Sequence, residues 1–203
     1  MRNTMRTNIL TLVLFFAGTV LPLCASAATL LGDFFIEKGV DVTVAATLDT
    51  YNKYVWRGFL LDDDIVLQPG VSISAAGFTG GFWGSWDMQS GDSLNSDETD
   101  GYVGYSHDLG FINEDMKKIS VSFGHTWYGF PETDLYSKEF YFGVSASVFL
   151  SPSFTWYADY ADEDQGGADG NYYILKVSHS IPIVGKYGVT LDLGGEAGVN
   201  DHF

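Results

Sequence analysis

From about residue 40 onward, apolar and polar side chains alternate with a period of two, and turn residues interrupt the alternation at regular intervals. That period is the geometry of a β-strand, whose successive side chains point to opposite faces. It predicts nine strands, at 40–57, 65–76, 81–89, 99–108, 119–129, 138–149, 153–162, 171–181 and 188–197. Most have about the ~9–11 residues that a tilted strand needs to cross a bilayer. No segment combines helical periodicity, caps and length. The sixth strand is the cleanest: Phe140, Phe142, Val144, Ala146 and Val148 alternate with Glu139, Tyr141, Gly143, Ser145 and Ser147. On the first, Val40, Val42, Val44, Ala46 and Leu48 oppose Asp41, Thr43, Thr47, Asp49, Tyr51, Lys53 and Arg57.

A water-soluble sandwich would alternate in the same way. Three features point instead to a transmembrane, antiparallel, up-and-down β-barrel. Arg2 and Arg6, the apolar run Ile9–Val20 and Ala25-Ser26-Ala27 read as a cleavable secretory signal peptide over residues 1–27. Residues 28–203 are then the barrel domain. The apolar run is too short for a membrane helix and ends at Pro22. Cys24 suggests a lipoprotein, but Leu23 stands before it where a small residue is expected. Aromatics gather toward strand ends, as in the girdles of membrane barrels, among them Trp83, Trp86, Trp127, Tyr128, Trp156 and Tyr160. Finally, the polar face is rich in Gly and Ser, which suit a crowded lumen. The expected location is the Gram-negative outer membrane.

Long acidic loops alternate with tighter turns, so the loops read as extracellular and the turns as periplasmic. Nine strands from a periplasmic start would end outside, whereas closed bacterial barrels have an even number. Either the sequence lacks C-terminal strands of a barrel of about 10–12, or a strand is miscounted and the barrel has about eight. An open edge in lipid is costly, which favours the first.

The full chain carries a formal charge of −16, and removing residues 1–27 takes away two arginines and no acid. That excludes the basic footprint nucleic-acid binding requires. With 16% aromatic and 46% hydrophobic residues, acidity does not mean disorder here. The inward parity holds Asp49, Lys53, Arg57, Gln68, Asp87, Asp100, Asp108, Glu139, Asp159, Lys176, Asp192 and Glu196. Acids in excess in a narrow lumen attract cations. The same charges could instead pair across a filled interior. Arg57 is either a constriction or carboxylate-binding residue, or one half of a fixed salt bridge.

Acid clusters at Asp62-Asp63-Asp64 and at Asp162 with Asp164 are weak divalent-ion candidates. Neither fits a calcium loop: Gly166 stands where a third oxygen ligand is needed, and the bidentate glutamate is missing. On that mismatch, Asp62–Asp64 and the other loop acids read first as solvated surface. An enzyme is not expected: His107, His125, His179 and His202 are scattered, and no nucleophile motif marks His125 with Ser122. No cofactor is expected. The partners implied are small solutes, outer-membrane lipids and lipopolysaccharide, and the barrel-assembly machinery during insertion.

Tyr51-Asn52-Lys53-Tyr54-Val55-Trp56-Arg57-Gly58 resembles the first-strand signature of the TorF-type porin family, bacterial outer-membrane proteins long catalogued as conserved and of unknown function. Its motif positions here are Tyr54, Trp56, Arg57 and Gly58. Leu67-Gln68-Pro69-Gly70-Val71, Gly81-Phe82-Trp83-Gly84-Ser85-Trp86 and Gly101-Tyr102-Val103-Gly104-Tyr105 extend the likeness over roughly residues 40–197. The resemblance implies an outer-membrane barrel acting as a pore, and members that usually run on further than this chain. It supplies no substrate.

Overall fold

The structure, a computed structural model, describes residues 39–88, 95–184 and 188–202. The expected signal peptide at 1–27 with Cys24, and the final Phe203, lie outside the described residues. Among the described residues there are eleven strands: β1 (Val42–Tyr51), β2 (Tyr54–Trp56), β3 (Phe59–Asp62), β4 (Val66–Ala75), β5 (Phe78–Asp87), β6 (Asn95–Asp108), β7 (Ile119–Phe130), β8 (Leu135–Ala146), β9 (Ser153–Asp159), β10 (Asn171–Val184) and β11 (Val189–Asp201). Nine form one antiparallel sheet in the order β1-β4-β5-β6-β7-β8-β9-β10-β11, and β2 with β3 form a separate hairpin. Every sheet pairing joins strands that are neighbours in sequence, with the small hairpin set aside, which is up-and-down topology. The expected all-β antiparallel class is therefore present. The sheet does not close into a barrel, because β1 and β11 remain its two edges.

The first predicted strand is corrected most. It runs only to Tyr51; residues 52–53 bend, and residues 54–62 turn back as the β2–β3 hairpin. Arg57 and Gly58 form that hairpin's tip with φ of 50° and 89°. Two positive φ values are the type I′ arrangement that matches strand twist, and Gly58 adopts its value without steric cost. Ala76 and Gly77 make the same turn between β4 and β5, with φ of 51° and 87°. At the other end of the chain, Asn200 and Asp201, which do not look like strand in the sequence, pair with Tyr172 and Asn171. Backbone pairing with β10 overrides their weak propensity.

The alternation sorts side chains as read from the sequence. One face carries Val71, Phe82, Val103, Phe123, Phe140, Phe142, Val144, Phe154, Leu175 and Leu193, all exposed. The other face is buried and polar: Gln68, Ser85, Glu98, Asp100, Ser137, Glu139 and Asp159 are all buried, against Val66, Ala161, Tyr172 and Ile174 among the apolar residues. This inverts the usual preference of a soluble domain, in which buried charge is rare.

The sheet curls around that polar face. The β2–β3 hairpin follows β1, yet it touches β5 through Tyr54 and Trp83, and β7 through Trp56 and Tyr128. It reaches β8, β9 and β10 through Arg57, which meets Glu139, Tyr157 and Tyr172. Glycines make room on this concave side. A Cβ at Gly124 would collide with the Tyr141 ring, one at Gly81 with Tyr102, and one at Gly198 with Tyr172. Tyrosines thus lie over glycines of adjacent strands, and the Gly content of the concave side has a packing reason.

Candidate functional site on the concave face

The site is built around the hairpin tip. Because Arg57 occupies the first position of the turn, its side chain projects from the tip toward the sheet. Its guanidinium forms a two-point pair with Glu139 on β8, with Nη1 to Oε2 at 2.5 Å and Nη2 to Oε1 at 3.0 Å. The guanidinium also lies over the rings of Trp56 at 4.2 Å, Tyr157 at 4.1 Å and Tyr172 at 4.8 Å. Tyr128 donates a further hydrogen bond to Glu139 Oε1 at 3.1 Å. The Arg57 side chain is 10% exposed and that of Glu139 1%. A buried carboxylate persists when it is paired and hydrogen-bonded, and here it is both. Of the two sequence readings of Arg57, the structure displays the salt bridge, made across the concave face rather than to an adjacent strand.

Three more buried carboxylates surround this pair. Asp159 accepts from the Ser137 hydroxyl at 2.5 Å and from the Ala161 backbone at 2.9 Å. Glu98 accepts from the Tyr54 hydroxyl. Tyr54 sits on the hairpin, so this bond ties the hairpin to β6. Asp100, on β6, has one carboxylate oxygen, Oδ1, without a hydrogen-bond partner.

Two cavities of about 390 and 430 Å³ lie against the hairpin and share Trp56, Tyr102, Thr126 and Tyr128 in their walls. Asp100 lines the first. Arg57, Glu139, Lys176 and Glu196 line the second. Lys176 and Glu196 pair across β10 and β11 at 3.0 Å, half exposed.

Of the residues expected on the inner face, the structure therefore brings Arg57, Asp100, Glu139, Asp159, Lys176 and Glu196 into one region. Asp49 and Asp192 have the inward register, opposite Gln68 and Ser180, but are exposed on or beside the edge strands. Asp87 ends β5 opposite Val66. Lys53 does not belong to the inner face of a strand: it is exposed in the bend after β1. Glu98 stands one residue before the predicted strand 99–108; it belongs to β6, and its parity with Asp100 and Tyr102 was the available signal. The ring platform of Tyr157 and Tyr172 for Arg57 had no local signal.

The three carboxylates of Asp62, Asp63 and Asp64 offer oxygens within 4.8 Å of one another. Asp62 is already engaged, accepting from the Asp64 backbone at 2.7 Å. Asp162 precedes a short 3₁₀ turn at Glu163–Gln165 without capping it. His125 faces outward, bonds the Tyr160 hydroxyl and lies against the Trp127 ring at a tilt of 46°. Ser122 lies on the other face of β7, packed where a Gly143 Cβ would stand, so the two form no nucleophile–base pair.

A family model for bacterial proteins of unknown function, Gcw_chp, matches residues 37–202. The chain belongs to the Gcw_chp family. The match spans β1 through β11 and includes every residue of the concave site. No curated protein and no solved structure matches the chain.

Proposed function

We propose that this chain is an outer-membrane porin of TorF type, which passes small polar solutes by passive diffusion and prefers cations. The observation that carries the reading is the inverted burial: Glu98, Asp100, Glu139 and Asp159 are buried on the concave face. The exposed apolar face opposite them suits contact with hydrocarbon. Four buried carboxylates around Arg57 leave a negative potential, which a low-dielectric wall concentrates along the bore. The unpaired edges of β1 and β11 cannot face lipid, so the bilayer form is a closed barrel of about 10–12 strands to which this sheet contributes nine. The in-folded hairpin is then the constriction.

Planar-bilayer recording with refolded protein tests this. Discrete conductance with a reversal potential of cation-preferring sign in a KCl gradient is expected; a protein that inserts and never conducts overturns it. A second reading is a plugged structural barrel whose acidic loops hold divalent ions, lipopolysaccharide or an envelope partner. The locked Arg57–Glu139 pair favours it. Arg57→Ala separates the two: a constriction residue alters conductance or ion preference, and a structural clasp mainly lowers stability.

A further inference from the structure

We propose that the smaller cavity beneath the β2–β3 hairpin is a binding site for a primary alkylammonium ion, anchored by Asp100 and walled by aromatic rings. Asp100 is 7% exposed, it lines this cavity, and its Oδ1 has no hydrogen-bond partner. A buried acceptor left unmatched is costly, and a donor supplied by a ligand removes that cost. The neighbouring carboxylates are already engaged: Glu139 by Arg57 and Tyr128, Glu98 by Tyr54.

The rest of the wall determines the kind of donor. Tyr54, Trp56, Trp83, Tyr102 and Tyr128 line the same space. Tyr54 and Trp83 stand 5.7 Å apart, centroid to centroid, and Trp56 and Tyr128 5.9 Å. Ring faces around a carboxylate attract a positive charge that carries apolar substituents. Calcium and magnesium take about six or more oxygen ligands, and zinc about four of nitrogen, sulfur or carboxylate, neither of which this aromatic wall offers. A quaternary ammonium suits the rings but has no N–H for the open Asp100 oxygen. A primary ammonium with a short alkyl chain satisfies both, and a cavity of about 390 Å³ accommodates it. Two of the five rings come from the hairpin, so the site exists only while the hairpin is folded inward. The site stands whether or not the barrel conducts; as a solute class for the pore, it rests on the reading above.

The test uses the full chain refolded in detergent micelles, where no conduction is needed, and follows Trp emission and titration calorimetry. n-Butylammonium is expected to bind saturably, and both tetramethylammonium and neutral n-butanol at least about tenfold more weakly. Asp100→Asn should weaken n-butylammonium by a similar factor. No saturable binding to the wild-type protein overturns the proposal, as does n-butanol binding equally well, which marks a merely apolar cavity. Equal binding of tetramethylammonium removes Asp100 as the anchor and also overturns it. These comparisons need no variant, so a misfolded Asp100→Asn leaves them intact. Binding without conductance would instead fault the pore alone.

Discussion

Arg57 holds a left-handed backbone conformation, φ 50°, that costs a non-glycine residue roughly 1 kcal/mol. Its side chain offsets that cost through Glu139 and three aromatic rings. Breaking a buried pair by removing one partner leaves the other charge unmatched. Glu139→Gln should therefore lower stability by about 3 kcal/mol in urea unfolding of the micelle-bound protein. Arg57→Lys should recover only part, since an ammonium cannot bridge both carboxylate oxygens. The pairing joins residues 82 positions apart. Nothing local in the sequence selected Glu139 over Asp49 or Asp159 as the partner.

The hairpin, residues 54–62, is the element whose role changed most between sequence and structure. As a continuation of β1 it would have extended above the sheet. The bend at Asn52-Lys53 and the turn at Arg57-Gly58 send it inward instead. Replacing residues 54–62 with a short Gly/Ser linker should raise single-channel conductance about twofold or more if the hairpin sets the bore. Recordings of the two proteins side by side give the answer. Packing of tyrosine over glycine belongs to this scale as well. Gly124→Ala places a methyl against Tyr141 and should cost about 1–3 kcal/mol, measured by the same unfolding experiment.

For the whole molecule, the decisive question is what surrounds the exposed apolar face. Phe142 is 40% exposed on it. If that face lies in hydrocarbon, Phe142→Arg should cost about 2–4 kcal/mol near the midplane. On a solvated surface the same change should stay within about 0.5 kcal/mol. Folding yields in lipid vesicles and unfolding in urea distinguish the two. Ion preference also belongs to this scale, because it sums over the concave face. If the chain conducts as proposed, pairing Glu98→Gln with Asp100→Asn should reduce the expected cation preference, read from reversal potentials, more than either change alone.

The order of the nine sheet strands and the identity of each face were legible in the sequence, because side-chain alternation is intrinsic to an extended backbone and needs no distant partner; the separate hairpin at 54–62 was not. Phe140 and Glu139 were assigned to opposite faces correctly on that ground alone. The sequence by itself therefore determined a nine-stranded antiparallel sheet with one apolar and one polar face. The inward turn of the polar face was also expected from the sequence; the tertiary structure alone decided that the hairpin folds onto that face, and that Arg57 meets Glu139 while Asp100 keeps an oxygen open. Those contacts depend on how the sheet curls and how one turn redirects the chain, and curvature adds up over many strands rather than residing in any one of them.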